Sequence, residues 1–201
     1  MTDVKICGLT DSSMVRFAIE AGADWIGFVL HPASPRNVLG EGAGELDQLA
    51  ELSDFCQQLG GRSVVLMVDP TPRFFERVLQ QIRPNAIQLH GKETPQQVQR
   101  FWRDANGVCE VWKALGVSAA HELEEIDQWA VDRLLIDAKA GEGASAPGGN
   151  GATLDWDILA DFDPEVPWFL AGGLDPGNVI DAITATGAPG VDVSSGVERV
   201  R

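Results

Sequence analysis

Eight short apolar runs recur along the chain at strand length: Val4 to Cys7, Trp25 to Val29, Val64 to Val68, Ala86 to Leu89, Val108 to Lys113, Leu134 to Asp137, Trp168 to Ala171 and Val191 to Val193. Segments with helix-start signals lie between them. Thr71-Pro72 opens one, Thr94-Pro95 opens another with Gln97 placed as a capping-box partner, and Asp175-Pro176 opens DPGNVIDAI. Alternation of strand and helix predicts a parallel sheet, and eight units of roughly 25 residues suit the lower size limit of a closed (β/α)8 TIM barrel. A doubly wound open sheet fits less well, because it carries a glycine-rich phosphate turn after its first strand, where this chain reads CGLTD.

Strand parity sharpens the picture, since successive side chains point to opposite faces. In the first run Val4 and Ile6 oppose Lys5 and Cys7. The fourth sets Ile87 and Leu89 against Gln88 and His90, the sixth Leu134 and Ile136 against Leu135 and Asp137, and the eighth Val191 and Val193 against Asp192 and Ser194. If the apolar parity faces the helices, then Lys5, Cys7, Gln88, His90, Asp137 and Asp192 project into the barrel. Unpaired polar groups there cost about 1 to 3 kcal/mol each, and charges more, so their presence points to function.

Composition narrows the function classes. With 201 residues and 44% hydrophobic content, the chain is expected to form one domain spanning 1–201. A net charge of -15 and a pI near 4.4 argue against nucleic-acid and anionic-membrane partners. Cys7, Cys56 and Cys109 make an odd set without CxxC spacing, against a disulfide framework or a structural zinc site. The start MTDVKICGLT enters a strand pattern without a basic region and leader, and no apolar run is long enough for a membrane span, which predicts a cytoplasmic protein. Two Gly-rich insertions, Leu30 to Gly44 and Ala138 to Ala152, follow strand carboxyl ends and are candidate lids or ordinary linkers.

Barrels commonly bind phosphate in the loops after strands seven and eight, through backbone N–H groups and a helix start. Gly172, Gly173, Ser194, Ser195 and Gly196 occupy those loops, although either set of small residues alone would equally serve a tight turn. Cys7 and Asp137 end strands one and six facing inward, an arrangement suited to two-sided proton transfer. A lone buried cysteine is more often a small hydrophobe, but its place at a strand's carboxyl end favours chemistry, with Lys5 expected to help ionise the thiol. Arg36 offers a planar fork for a carboxylate, His90 could contact a ligand or fill a core hydrogen bond, and Asp192 could hold a sugar hydroxyl or pair with Lys5. The six tryptophans show no convergent pattern and read as packing or surface residues.

Taken together, KICG, SPR, QLHG, LLIDAK followed by GGNGATLDW, LAGGLDPGNV and GVDVSSGVE resemble the phosphoribosylanthranilate isomerase family of tryptophan biosynthesis, in order from Lys5 to Glu198. The resemblance implies an Amadori rearrangement of N-(5-phosphoribosyl)anthranilate to 1-(2-carboxyphenylamino)-1-deoxyribulose 5-phosphate, without cofactor or metal. It also implies Asp137 as general acid, Cys7 as general base, Arg36 on the anthranilate carboxylate, and the last two strand loops as the phosphate cradle. His90 and Asp192 match polar active-site positions. The expected partner is a small phosphorylated substrate, with the chain a monomer or homodimer.

Three features depart from the family: Asp69 where asparagine often stands, GGNG around Asn150 in place of GGTG, and an ending at Arg201 that leaves the last outer helix missing. A dual-substrate isomerase also serving histidine biosynthesis is the second reading, opposed by Cys7, because barrels that take the histidine substrate resemble one another in having aspartate there. A catalytically silent phosphosugar-binding protein is the third.

Overall fold

The computed structural model describes residues 1–39, 46–124, 126–138 and 155–198. Eight parallel strands, β1 (Asp3–Cys7), β2 (Trp25–Leu30), β3 (Arg62–Met67), β4 (Ala86–Leu89), β5 (Glu110–Val117), β6 (Arg133–Ala138), β7 (Trp168–Leu170) and β8 (Gly190–Val193), close into a barrel in chain order. Every expected strand is present. The β5 window needs correction: Val108 is exposed in a turn, and the strand begins at Glu110 and runs on to Val117. The residues before Glu110 lie in the turn that follows the helix ending at Ala105, so their apolar character did not mark pairing.

Strands buried on both faces read as continuous apolar runs, as WIGFVL of β2 does. Parity nevertheless divides them into two cores. Ile26, Phe28, Val65, Met67, Ile87, Leu89, Leu134 and Ile136 face outward into the layer shared with the helices. Trp25, Val64, Ala86, Trp112, Ala114, Leu135, Phe169 and Ala171 fill the barrel interior.

The tryptophans converge more than the sequence suggested. Trp25 meets Trp112 edge-on at 4.7 Å, and Trp112 stacks on Phe169 at 5.0 Å. Gly190 makes room for this stack, because a Cβ there would stand 2.7 Å from the Phe169 ring. Both indole N–H groups are satisfied at the strands' amino ends: Trp25 Nε1 donates to Asp3 Oδ2 and Trp112 Nε1 to Glu110 Oε2. Arg62 and Arg133 bond the same two carboxylates and lie over the Trp25 ring. This end of the barrel is plugged, leaving the carboxyl end as the place for a ligand.

Among the described residues, five α-helices pack outside: α1 (Ser12–Glu20), α2 (Leu46–Gln58), α3 (Pro72–Ile82), α4 (Pro95–Ala105) and α5 (Val179–Thr186). Thr71 caps α3, and Thr94 with Gln97 forms the expected capping box at the start of α4. The start expected at Asp175-Pro176 is displaced to Val179. The Asp175 carboxylate accepts from the N–H groups of Gly177 and Asn178, which makes a turn there instead of a helical first turn.

The regular beat also fails after β5 and β6, where the described segments hold only 3₁₀ turns at Ala120–Leu123, Ile126–Gln128 and Trp156–Leu159. After β8 the described residues hold a single 3₁₀ turn, Ser195–Val197, and the outward-facing Val4, Ile6 and Val193 are half-buried. Among the described residues no helix is long and apolar enough to cross a membrane. The first part of the loop after β2 is pinned: Val38 is buried and donates its N–H to the Val29 carbonyl. Residues 40–45 of that insertion, and 139–154 of the second with Asn150, lie outside the described residues.

Candidate active site

Above the aromatic plug lies a polar layer built by adjacent strands. Lys5 of β1 and Asp192 of β8 are partners in register, and Lys5 Nζ stands 2.8 Å from Asp192 Oδ1. Lys5 is fully buried. Burial opposes its charge, but Asp192, with Cys7 adding, more than compensates and its pKa is raised, so the ammonium persists. Of the two roles open to Asp192 in the sequence, the structure displays the pairing with Lys5.

One turn of the pleat higher, Cys7 ends β1, and Gly27 beside it supplies the space. A Cβ on Gly27 would stand 2.7 Å from the Cys7 Sγ. Burial pushes the thiol above its ordinary range, and the pull of Lys5 and Arg36 does not offset it. Lys5 does pull the thiol down, as expected, but the net shift is upward: in a site this dry, desolvation of a thiolate outweighs one ammonium already paired to Asp192.

On the facing side, β4 presents Gln88, His90 follows directly after its end, and β6 presents Asp137. Gln88 Nε2 lies 2.8 Å from His90 Nδ1, and His90 Nε2 lies 3.7 Å from Asp137 Oδ2. Burial, with Lys5 and Lys113 adding, lowers the His90 pKa to about 3, so the ring is neutral at pH 7. Gln88 is fully buried and its Oε1 has no hydrogen-bond partner, a cost of about 1 to 3 kcal/mol.

Arg36 reaches the mouth from the loop after β2. Its Nε and Nη2 donate to the two carboxylate oxygens of Glu198 at 2.6 and 3.0 Å, a bidentate pair on one edge of the guanidinium. Among the described residues, Nη1 makes no hydrogen bond, so one edge of the guanidinium carries the Glu198 pair and the other does not. The Glu198 hydrogen bonds, ahead of an opposing burial effect, raise the Arg36 pKa. Gly8, at φ +92, lets the chain pass under this arginine, since a Cβ there would stand 2.5 Å from Arg36 Cδ.

The loops after β7 and β8 come together over the same mouth. Gly172 and Gly173 take φ of +89 and +63, and Asn178 Nδ2 donates to the Gly173 carbonyl. Gly196 packs its backbone on the Leu174 carbonyl, so close that any side chain would collide. Among the described residues, the N–H groups of Gly172, Gly173, Ser194 and Ser195 make no loop or turn hydrogen bond to a backbone carbonyl. No group of three or more His, Cys, Asp or Glu among the described residues is placed to hold a metal ion.

The sequence profile of N-(5'-phosphoribosyl)anthranilate isomerase matches residues 4–200. The chain belongs to that family. It is 47% identical to the N-(5'-phosphoribosyl)anthranilate isomerase of Hyphomonas neptunium, over 100% of this chain and 90% of the relative. It is 46% identical to that of Erythrobacter litoralis, over 98% and 90%. Among solved structures, the phosphoribosyl anthranilate isomerase of Thermotoga maritima matches with a TM-score of 0.80 at 31% identity, covering 99% of this chain and 90% of the other. A family structure in complex with reduced 1-(o-carboxyphenylamino)-1-deoxyribulose 5-phosphate matches with a TM-score of 0.76 at 29% identity, with the same coverage.

Within this family's barrel, Cys7, His90 and Asp137 lie at the carboxyl ends of their strands, Asp192 lies inside β8 beside Lys5, and Arg36 and the small residues of the last two loops follow β2, β7 and β8, whereas Cys56 lies in α2 and Cys109 just before β5. Two features escaped the reading of residues. Glu198 lay in a quoted motif without a role, and only its contact with Arg36, across 162 positions, reveals one. The second is a brace under the loops: Glu93 accepts from Lys113 Nζ at 2.8 Å and from the N–H groups of Asp69 and Gly91. It holds Asp69 at φ +46, and no local pattern announced it.

Proposed function

We propose that this chain catalyses the Amadori rearrangement of N-(5'-phosphoribosyl)anthranilate to 1-(o-carboxyphenylamino)-1-deoxyribulose 5-phosphate. The observation that carries the reading is that Cys7 of β1 and Asp137 of β6 turn inward at one mouth of a barrel whose whole length matches the isomerase family.

Asp137, in its acid form, gives its proton to the ribose ring oxygen. The bond from that oxygen to the first sugar carbon breaks, and the nitrogen lone pair forms an iminium. Cys7, as thiolate, takes the proton from the second carbon, and that electron pair neutralises the iminium to an enolamine. The enolamine's hydroxyl then gives up its proton as the first carbon gains one, which leaves the ketone and balances the isomerisation. The thiol is largely protonated in the empty site, and the cation formed by ring opening adds to the pull of Lys5 and Arg36 in favour of the thiolate.

Arg36, steered by Glu198, receives the anthranilate carboxylate on its open edge. The N–H groups of Gly172, Gly173, Ser194, Ser195 and Gly196 receive the phosphate, which suits a chain whose net charge of -15 offers an anion no general attraction. Lys5 holds Asp192 in place for a sugar hydroxyl. The chain acts in the cytoplasm on this small phosphorylated substrate, as a monomer or a homodimer.

The test follows loss of the substrate's intrinsic fluorescence with wild type, Cys7→Ala and Asp137→Asn. Each substitution should remove roughly 10² to 10⁴ of turnover with ligand binding largely kept. Full activity in either variant would overturn the assignment, and a folded wild type without turnover would overturn the function.

A further inference from the structure

A fully buried glutamine with one half of its amide unpaired calls for a reason, since an apolar side chain would fill the space without that loss. Gln88 is such a residue, and the half that is paired faces a histidine ring nitrogen. We propose that Gln88 is a positioning residue that fixes the tautomer of His90, donating from Nε2 to Nδ1 so that the ring proton sits on Nε2 and faces Asp137. This rests on the isomerase reading above, in which Asp137 is the acid.

The neutral imidazole has one donor and one acceptor nitrogen, so whatever occupies Nδ1 decides what Nε2 can do. With Gln88 Nε2 at 2.8 Å from Nδ1, the lone pair is there and the proton is on Nε2. Nε2 stands 3.7 Å from Asp137 Oδ2, within ion-pair range though longer than a hydrogen bond. An ionised Asp137 and the Gln88 donor therefore select the same tautomer from opposite sides. Turning the amide over would set two buried N–H bonds where Oε1 now lies unpaired, and orphaned donors are rarer in proteins than under-used carbonyl oxygens. The charged groups acting on the ring, Lys5 and Lys113, oppose a second proton on it.

The consequence falls on the acid. As Asp137 releases its proton to the substrate, negative charge grows on a carboxylate that already faces an N–H donor, so the donor acts where charge develops. In the other tautomer a lone pair would face Asp137. It would hold the acid's proton for itself and oppose the carboxylate once formed. Gln88 thus keeps the proton of Asp137 available without touching substrate.

The test reads the tautomer directly, by long-range proton–nitrogen correlation spectra of the chain labelled with ¹⁵N at its three histidines, with His90→Asn assigning the signal. Wild-type His90 is expected to be neutral and protonated on Nε2 at pH 7. Gln88→Met removes the donor and should give a mixture of tautomers with kcat lowered about tenfold and KM within about twofold. Gln88→Glu replaces donor by acceptor and should move the proton to Nδ1, with kcat lower still.

A purely packing role would not order kcat as Gln above Met above Glu in step with the tautomer. The proposal is overturned if wild-type His90 carries its proton on Nδ1, or is a cation at pH 7, or if kcat stays level while the tautomer changes. Should a variant fail to fold, the wild-type spectrum alone still decides the tautomer. The spectrum needs no turnover, so it separates failure of this inference from failure of the isomerase reading.

Discussion

Replacing Lys113 by methionine keeps most of the apolar stem but removes the ammonium that balances Glu93. The two side chains are only 3% and 2% exposed, and their charged atoms stand 2.8 Å apart. Breaking a buried pair by removing one partner costs about 3 to 5 kcal/mol, because the remaining charge is stranded away from water. Glu93 would keep the N–H groups of Asp69 and Gly91, at 2.9 and 3.0 Å, which sets Lys113→Met at the lower end, about 3 kcal/mol.

Glu93→Gln retains a carbonyl oxygen for those amides, and Lys113 keeps the Gly91 carbonyl at 2.8 Å, so about half that cost is expected. Urea and thermal unfolding of the two variants beside wild type measure this, with the Lys113→Met midpoint lowered by about 6 to 12 °C. A loss below about 1 kcal/mol for Lys113→Met, or a larger loss for Glu93→Gln, would refute the view that a stranded carboxylate dominates. Because the brace holds Asp69 and the Gly91 loop next to His90, the same variant should lower kcat even at temperatures where it is folded.

Other outcomes follow from the site. Activity that requires one protonated and one ionised group falls, on the alkaline side, at the higher of the two titrations, which is no lower than that of the thiol, raised above its ordinary 9.0; kcat/KM should therefore not begin to fall before about pH 9, and a decline beginning near pH 7 would count against Cys7 as the base. Glu198→Gln should raise KM several-fold with kcat nearly unchanged, because Arg36 loses the partner that aims its open edge; steady-state kinetics showing unchanged KM would dismiss that steering. Gly27→Ala drives a methyl group to 2.7 Å from the Cys7 Sγ and should cut kcat by about a hundredfold in a chain whose circular dichroism is unaltered, whereas full activity would mean the thiol's position is unimportant.

Much of this molecule was legible locally. Parity along β1, β4, β6 and β8 placed Lys5, Cys7, Gln88, His90, Asp137 and Asp192 inside the barrel, because the two-residue period of a strand needs no tertiary contact to operate. The caps at Thr71 and Thr94 were equally readable, since each satisfies N–H groups within its own helix turn. The start of α5 was not, although its residues adjoin, because two local solutions competed: Asp175 closes a turn on Gly177 and Asn178, while Asn178 is held by the Gly173 carbonyl of the β7 loop.

What the tertiary structure alone decided is how charges and apolar bulk are balanced across distance. Trp25, Trp112 and Phe169 close one end of the barrel only because three separate strands bring them to one level. Whether Lys5 or burial governs the Cys7 thiol depends on how much water the finished barrel excludes, and burial wins. Arg36 with Glu198, and Lys113 with Glu93, are pairs that only chain closure brings together. Pattern and capping are properties of neighbours in sequence; desolvation and long-range pairing are properties of the folded volume, and they set the chemistry of this site.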